Sequence, residues 1–163
     1  MTATAGRDGL ERGVSDDGAP SGGSGMNTGV LLFIPYRAME RRVFDALRRA
    51  GFDDFTVAQA KVFQRIDAGG SRLTDLAEHA QITKQSAQLL VDGLERAGYV
   101  RRVPDPTDAR ARLIVVAPRG AELVERSAQV VGEVEREWEA HLGTRGMHTL
   151  RRLLTRLADI TDY

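Results

Sequence analysis

The feature that most limits the fold of this chain is a change of rhythm at Gly98. Up to that glycine, apolar residues recur at three- and four-residue steps. After it they alternate, first in Tyr99-Val100-Arg101-Arg102-Val103 and again in the β-branched run Leu113-Ile114-Val115-Val116, before helical spacing returns at Pro118. A period near 3.6 lays an apolar stripe along a helix, and a period of two lays one along a strand face. The chain is therefore expected to be mainly α with a small β-hairpin. Pro104 to Arg112, between the two alternating runs, is turn-rich, polar and basic at its end, which predicts a long charged hairpin tip.

Helix boundaries follow from caps and breakers. Asn27 to Ala50 carries Ile34, Ala38, Met39, Val43, Ala46 and Leu47 at helical steps and is stopped by Gly51; Pro35 within it predicts a bend or a later start. Thr56-Val57-Ala58-Gln59 reads as a capping box opening a helix to about Ile66. Ser71 is the expected N-cap of a short helix to Ala80, and Thr83 that of a helix from Lys84 to Ala97. Pro118 opens a long helix to about Leu142, Gly143 and Gly146 are read as breaks, and a last helix runs from about Arg145 to Ile160. Two helices joined by a short turn and followed by a hairpin make a winged helix-turn-helix. Helices flank it at both ends, with more apolar stripe than one small domain can cover.

Residues 1–25 hold seven of the 17 glycines and carry Arg7 and Arg12 against Asp8, Glu11, Asp16 and Asp17. That composition cannot bury enough apolar surface to offset its ordering entropy, so a disordered tail is expected. The whole chain has 23 basic and 23 acidic residues and no cysteine, which excludes disulfides, thiolate metal sites and thiol sensing. Neither a membrane span nor a signal peptide is expected, and the cytoplasm is the default compartment. No catalytic residue, cofactor or metal is expected. His79 stands alone, and His141 and His148 with Glu137 or Glu139 lack any zinc-motif spacing. A metal-dependent enzyme is thus the weakest alternative. A winged helix that binds protein rather than DNA is a stronger one, but leaves several cations without a purpose.

Those cations, with neighbouring polar residues, form two sets. Thr83, Lys84, Gln85, Ser86 and Gln88 lie at the start of the Thr83-capped helix, where base and phosphate contacts of a recognition helix are usually made. Arg110 and Arg112, one residue apart on an extended segment, are suited to the deep negative potential of a minor groove. Asp108 is placed to brace the wing by holding an arginine.

Three segments, Leu73-Thr74-Asp75-Leu76-Ala77-Glu78, Leu90 through Val100, and Asp105-Pro106-Thr107-Asp108-Ala109-Arg110, resemble the multiple-antibiotic-resistance regulator (MarR) family of bacterial transcription factors. The resemblance extends from Asn27 to Ile160. It implies a homodimer joined by helices within 26–50 and 118–163, and a winged-helix DNA-binding region over 55–117. It also implies a palindromic double-stranded DNA operator, Arg110 as the minor-groove arginine, and repression relieved by a small aromatic or anionic effector. Tyr36, Arg37, Phe44 and Phe63 are the expected pocket lining by the same resemblance. Leu89 departs from the pattern, standing where many members place a polar or basic residue. Gly93 departs too, since a glycine in mid-helix costs about 1 kcal/mol relative to alanine.

Overall fold

A computed structural model of the chain describes residues 25–161. The tail expected over 1–25 lies outside the described residues except for Gly25, which is exposed. The elements are α1 (Thr28–Arg49), α2 (Val57–Phe63), β1 (Ser71–Arg72), α3 (Leu73–His79), α4 (Lys84–Arg96), β2 (Val100–Asp105), β3 (Asp108–Val116) and α5 (Pro118–Thr161).

The caps act as their chemistry requires. The Asn27 side chain accepts the Val30 N–H at 3.0 Å, and α1 continues through Pro35, so proline does not set its start. Thr56 and Gln59 satisfy each other's backbone N–H groups at 3.2 and 2.8 Å, completing the capping box. The Thr83 hydroxyl accepts the Ser86 N–H at 3.1 Å; removal of such a cap typically costs about 1 kcal/mol. Three expectations need correction. Ser71 does not cap a helix; it pairs with Ile114 as part of β1, and its hydroxyl accepts the Asp67 N–H at 3.0 Å, which leaves the cap position to Arg72. The hairpin consequently becomes a three-stranded antiparallel sheet in the order β1-β3-β2. Gly146 is helical, and the break in α5 lies at Gly143 alone, where φ is 73°.

The core sits where α1 to α4, the sheet and the first turns of α5 converge. Leu47, Val62, Leu76, Val91, Leu94, Tyr99, Val100, Ile114 and Leu123 are all buried there. Phe55 meets Tyr99 edge-on at 5.1 Å between centroids and Phe63 likewise at 5.6 Å. Gly93, costly by helix propensity, has a packing reason: a Cβ there would stand 2.8 Å from Gln59 Nε2, so α4 makes room for the capped end of α2.

A set of contacts around Tyr99 fastens the start of the long C-terminal helix to this core. The Tyr99 carbonyl accepts the Ala117 N–H at 2.9 Å, just before Pro118 opens α5. The buried Tyr99 ring donates its hydroxyl to Asp54, and Arg119 lies over that ring at 4.6 Å from the centroid while bonding Asp54 at 2.8 and 3.0 Å. Burial, then the Asp54 carboxylate, raises the Tyr99 hydroxyl above its ordinary range; Arg119, then Tyr99, holds Asp54 below its own. Gly120 follows because a Cβ would lie 2.1 Å from the Tyr99 carbonyl oxygen, a backbone atom that cannot swing away. Gly120→Ala is expected to destabilise the fold by about 3 kcal/mol, the upper part of the usual overpacking range, measured by urea unfolding. Gly132→Ala, whose Cβ would meet only the Arg136 guanidinium at 3.5 Å, serves as the tolerated control.

Candidate nucleic-acid interface

The outward face of α4 is built by subtraction. Ala87, Val91 and Leu94 point into the core, so Lys84, Gln85, Ser86 and Leu89 are left exposed and Gln88 half-exposed. Not all of these polar groups are free. The Ser86 hydroxyl shares a hydrogen bond of 2.8 Å with Thr83 Oγ1, and the Gln88 amide donates to Asp92 Oδ1 at 2.7 Å. Lys84 and Gln85 form no hydrogen bond or ion pair among the described residues.

The tip of the hairpin differs from the expected long loop. β2 and β3 run up to a two-residue turn, Pro106-Thr107, with Asp105 opposite Asp108. Pro104 pairs with Arg112, so Ala109, Arg110 and Ala111 form an irregular bulge on β3. Simple strand alternation therefore does not fix how Arg110 and Arg112 are directed relative to each other. Both are exposed, and neither guanidinium has a hydrogen-bond or ion-pair partner among the described residues. A bulge of this kind re-aims a side chain at a strand end.

The group that braces this turn is Asp105. Its carboxylate is buried, accepts Thr107 Oγ1–H at 2.7 Å and Thr107 N–H at 2.8 Å, and receives Arg72 Nε and Nη2 at 2.8 and 2.6 Å. The bonds from Thr107 and then Arg72 hold its pKa down to about 2. Asp108, assigned that bracing from the sequence, instead accepts the Arg110 backbone N–H at 3.0 Å and holds no arginine side chain. Its effect is confined to the start of the bulge. The signal for Asp105 was present in the aspartate two residues before a threonine at a turn, a side-chain-to-backbone pattern. Its arginine partner lies 33 residues away and could not be read locally.

The wing is also locked to α4. Arg102 on β2 bonds Asp92 at 2.7 Å and is paired with Glu95. Of the four carboxylates between Thr83 and Arg112, Asp92 and Glu95 are spent on Arg102 and Asp105 on Arg72. Lys84, Arg101, Arg110 and Arg112 remain exposed without a partner among the described residues.

A cavity of about 390 Å3 lies under α1, between α2 and α5. Tyr36, Phe44 and Phe63 line it together with Met39, Leu123 and Val124, and its one charged lining side chain is Glu40. Arg37 does not line it. Arg37 faces an adjoining depression with Phe33 and Ile34, and pairs with Glu40.

The MarR family profile matches residues 53–111, from the loop before α2 into β3. The transcriptional activatory protein BadR of Rhodopseudomonas palustris is 30% identical over 100 residues, 58% of this chain and 57% of its own; the match thus spans little more than half the length of that curated relative. A mutant MarR of E. coli, solved in complex with operator DNA, is 26% identical with a TM-score of 0.59 over 79% of this chain and 91% of its own. NadR, solved in complex with 4-hydroxyphenylacetate, is 26% identical with a TM-score of 0.63 over 87% and 99%. Over residues 53–111 the chain matches the MarR family, and its fold is that of the E. coli MarR mutant and of NadR. Its winged helix is formed by α2 to β3, with α1 and α5 outside it, and the segments that carried the resemblance fall on α3, on α4 into β2, and on the wing turn. Among the described residues no cluster of three or more His, Asp or Glu is arranged to hold a metal ion, and no helix is long and apolar enough to cross a membrane.

The bonds to Asp105 give this MarR-type wing a pH signature. Its folded pKa lies below its ordinary 3.8, so its stabilising effect is complete above that value and is lost as the pH falls towards 2. The carboxyl carbon of Asp105 is expected to titrate with a midpoint near 2 by NMR, with the Thr107 amide resonance moving in the same step. In Arg72→Ala that midpoint rises towards the ordinary value.

Proposed function

We propose that the protein is a homodimeric, sequence-specific regulator that binds double-stranded DNA and represses transcription until a small molecule releases it. The observation that carries this reading is the pair of exposed, partnerless arginines, Arg110 and Arg112, on a wing whose turn is braced by Asp105 and whose base is tied to α4 by Arg102. A rigid, cationic protrusion beside a helix presenting Lys84 and Gln85 suits simultaneous contact with a minor and a major groove. The solved complex of an E. coli MarR mutant with operator DNA supports it by kinship.

Two grips need two copies. Leu31, Leu32, Phe33 and Ile34 at the start of α1 and Leu153, Leu154, Leu157 and Ile160 at the end of α5 are exposed, and Leu31, Leu32 and Leu154 share an apolar groove with Trp138. An apolar surface this extensive on one chain favours a self-complementary partner. Such a dimer would set two α4 helices in successive major grooves about one helical turn, roughly 34–36 Å, apart on a palindromic operator. Bound over a promoter, it would exclude polymerase.

For the effector, the cavity volume suits a small organic ligand. Its aromatic lining suits an aromatic one. With Glu40 the sole charged lining group and already paired with Arg37, a neutral aromatic fits better than a charged one. A ligand seated between α1, α2 and α5 would bias the position of the winged helix against the helical platform, provided that its affinity differs between the two arrangements.

Three measurements test this reading. Arg110→Glu combined with Arg112→Glu is expected to cost at least about 1–3 kcal/mol of DNA affinity per wing, with circular dichroism and melting unchanged; undiminished binding would favour the protein-interaction module instead. Leu32→Glu combined with Leu154→Glu is expected to give a monomer by sedimentation equilibrium and to abolish footprinting. Thermal-shift screening is expected to favour phenols over aromatic acids and amines, with Arg37→Ala, which leaves the Glu40 carboxylate unpaired by that arginine, shifting the preference towards amines.

A further inference from the structure

Leu89 is 67% exposed. The other large apolar side chains left in solvent lie before α1, on α1 or on α5, where a second copy can cover them, apart from Val57 at the opening of α2. Leu89 stands on α4 instead, one turn beyond Gln85 and on the side away from buried Ala87, Val91 and Leu94. Its neighbours on that face are Gln85 and Ser86 in the preceding turn and Asp92 and Gly93 in the following one. The Gln88 amide is held by Asp92 at 2.7 Å, and Asp92 is held in turn by Arg102 at 2.7 Å. That chain of bonds turns the neighbouring Gln88 along the helix and leaves Leu89, with Gln85 one turn before it, unencumbered on the outer face.

The floor of the major groove consists almost wholly of hydrogen-bond donors and acceptors, and the one apolar group that a base presents there is the C5-methyl of thymine. We propose that Leu89 is a specificity-determining residue that packs against a thymine methyl group in each half-site. This inference rests on the reading that α4 enters the major groove. It gives a reason for an exposed leucine that neither the core nor the helical platform uses, and it predicts that the operator carries a fixed thymine one helical turn deeper along α4 than the base met by Gln85.

The test uses the full chain and a duplex selected by it from a randomised library. Each thymine of the selected site is replaced in turn by uracil, which removes the methyl group and keeps every hydrogen-bonding edge. One symmetry-related pair of positions is expected to lose about four-fold in affinity per methyl, the size expected for one buried carbon. In Leu89→Ala that sensitivity disappears at that pair and persists at any others, with the melting temperature unchanged because the side chain is exposed. The proposal is overturned if uracil costs nothing at every position. It is equally overturned if the cost survives in Leu89→Ala, or if Leu89→Ala weakens the thymine and uracil duplexes alike. Enrichment of no duplex at all would sink the DNA-binding reading itself, and this inference with it.

Discussion

Tyr99 is the point at which the separate parts of this molecule are made one. Its backbone carbonyl receives Ala117 and leaves no space for a side chain at Gly120, while its ring packs against Phe55 and carries Arg119 above it. Its hydroxyl reaches Asp54, ahead of α2. One residue thereby joins the end of α4, the base of the wing, the opening of α5 and the loop that follows α1. A helical platform can govern the attitude of a winged helix only through a stiff joint. The close backbone approach of α5 to the Tyr99 carbonyl is that joint here.

Stiffness continues outward along the wing by a different means. Beyond Val100 and Ile114 the strands bury few apolar side chains, and ionic hydrogen bonds tie them to the neighbouring elements. Arg102 ties β2 to α4, and Arg72 reaches across from β1 to the buried carboxylate of Asp105. In both places an arginine fork takes a carboxylate out of the local charge balance. Lys84, Arg101, Arg110 and Arg112 keep no such partner among the described residues. The cavity under α1 lies beside this joint, with Val116 and Leu123 in its lining, at the two sides of the turn from wing to α5. Anything bound there touches both the platform and the base of the wing.

Much of this was legible in the residue order. The shift from helical to alternating spacing at Gly98 located the hairpin, and Asn27, Thr56 and Thr83 marked helix starts that their side chains do cap. The wing motif placed Arg110 at the tip, and Tyr36, Phe44 and Phe63 do converge on one cavity. The readings that failed share a cause. Ser71 looked like a cap because serine before an apolar run usually is one, and only pairing with Ile114, 43 residues on, makes it a strand. Asp108 was given an arginine from its nearness in sequence, and Arg37 a place in the pocket from the resemblance; Asp108 holds the Arg110 backbone N–H instead and Arg37 pairs with Glu40 beside the cavity.

By itself, then, the sequence determined where most of the helices begin and which faces are apolar, because caps, glycines and periodicity act within a turn or two of chain. Tertiary structure alone decided which charges remain available, since Arg72–Asp105 and Arg102–Asp92 join residues 33 and 10 positions apart. It also decided that β1 exists, that Gly120 cannot bear a side chain, and that Glu40 rather than Arg37 faces the cavity. Those outcomes depend on distances between elements. A residue pattern specifies such distances only once the core has closed around Tyr99.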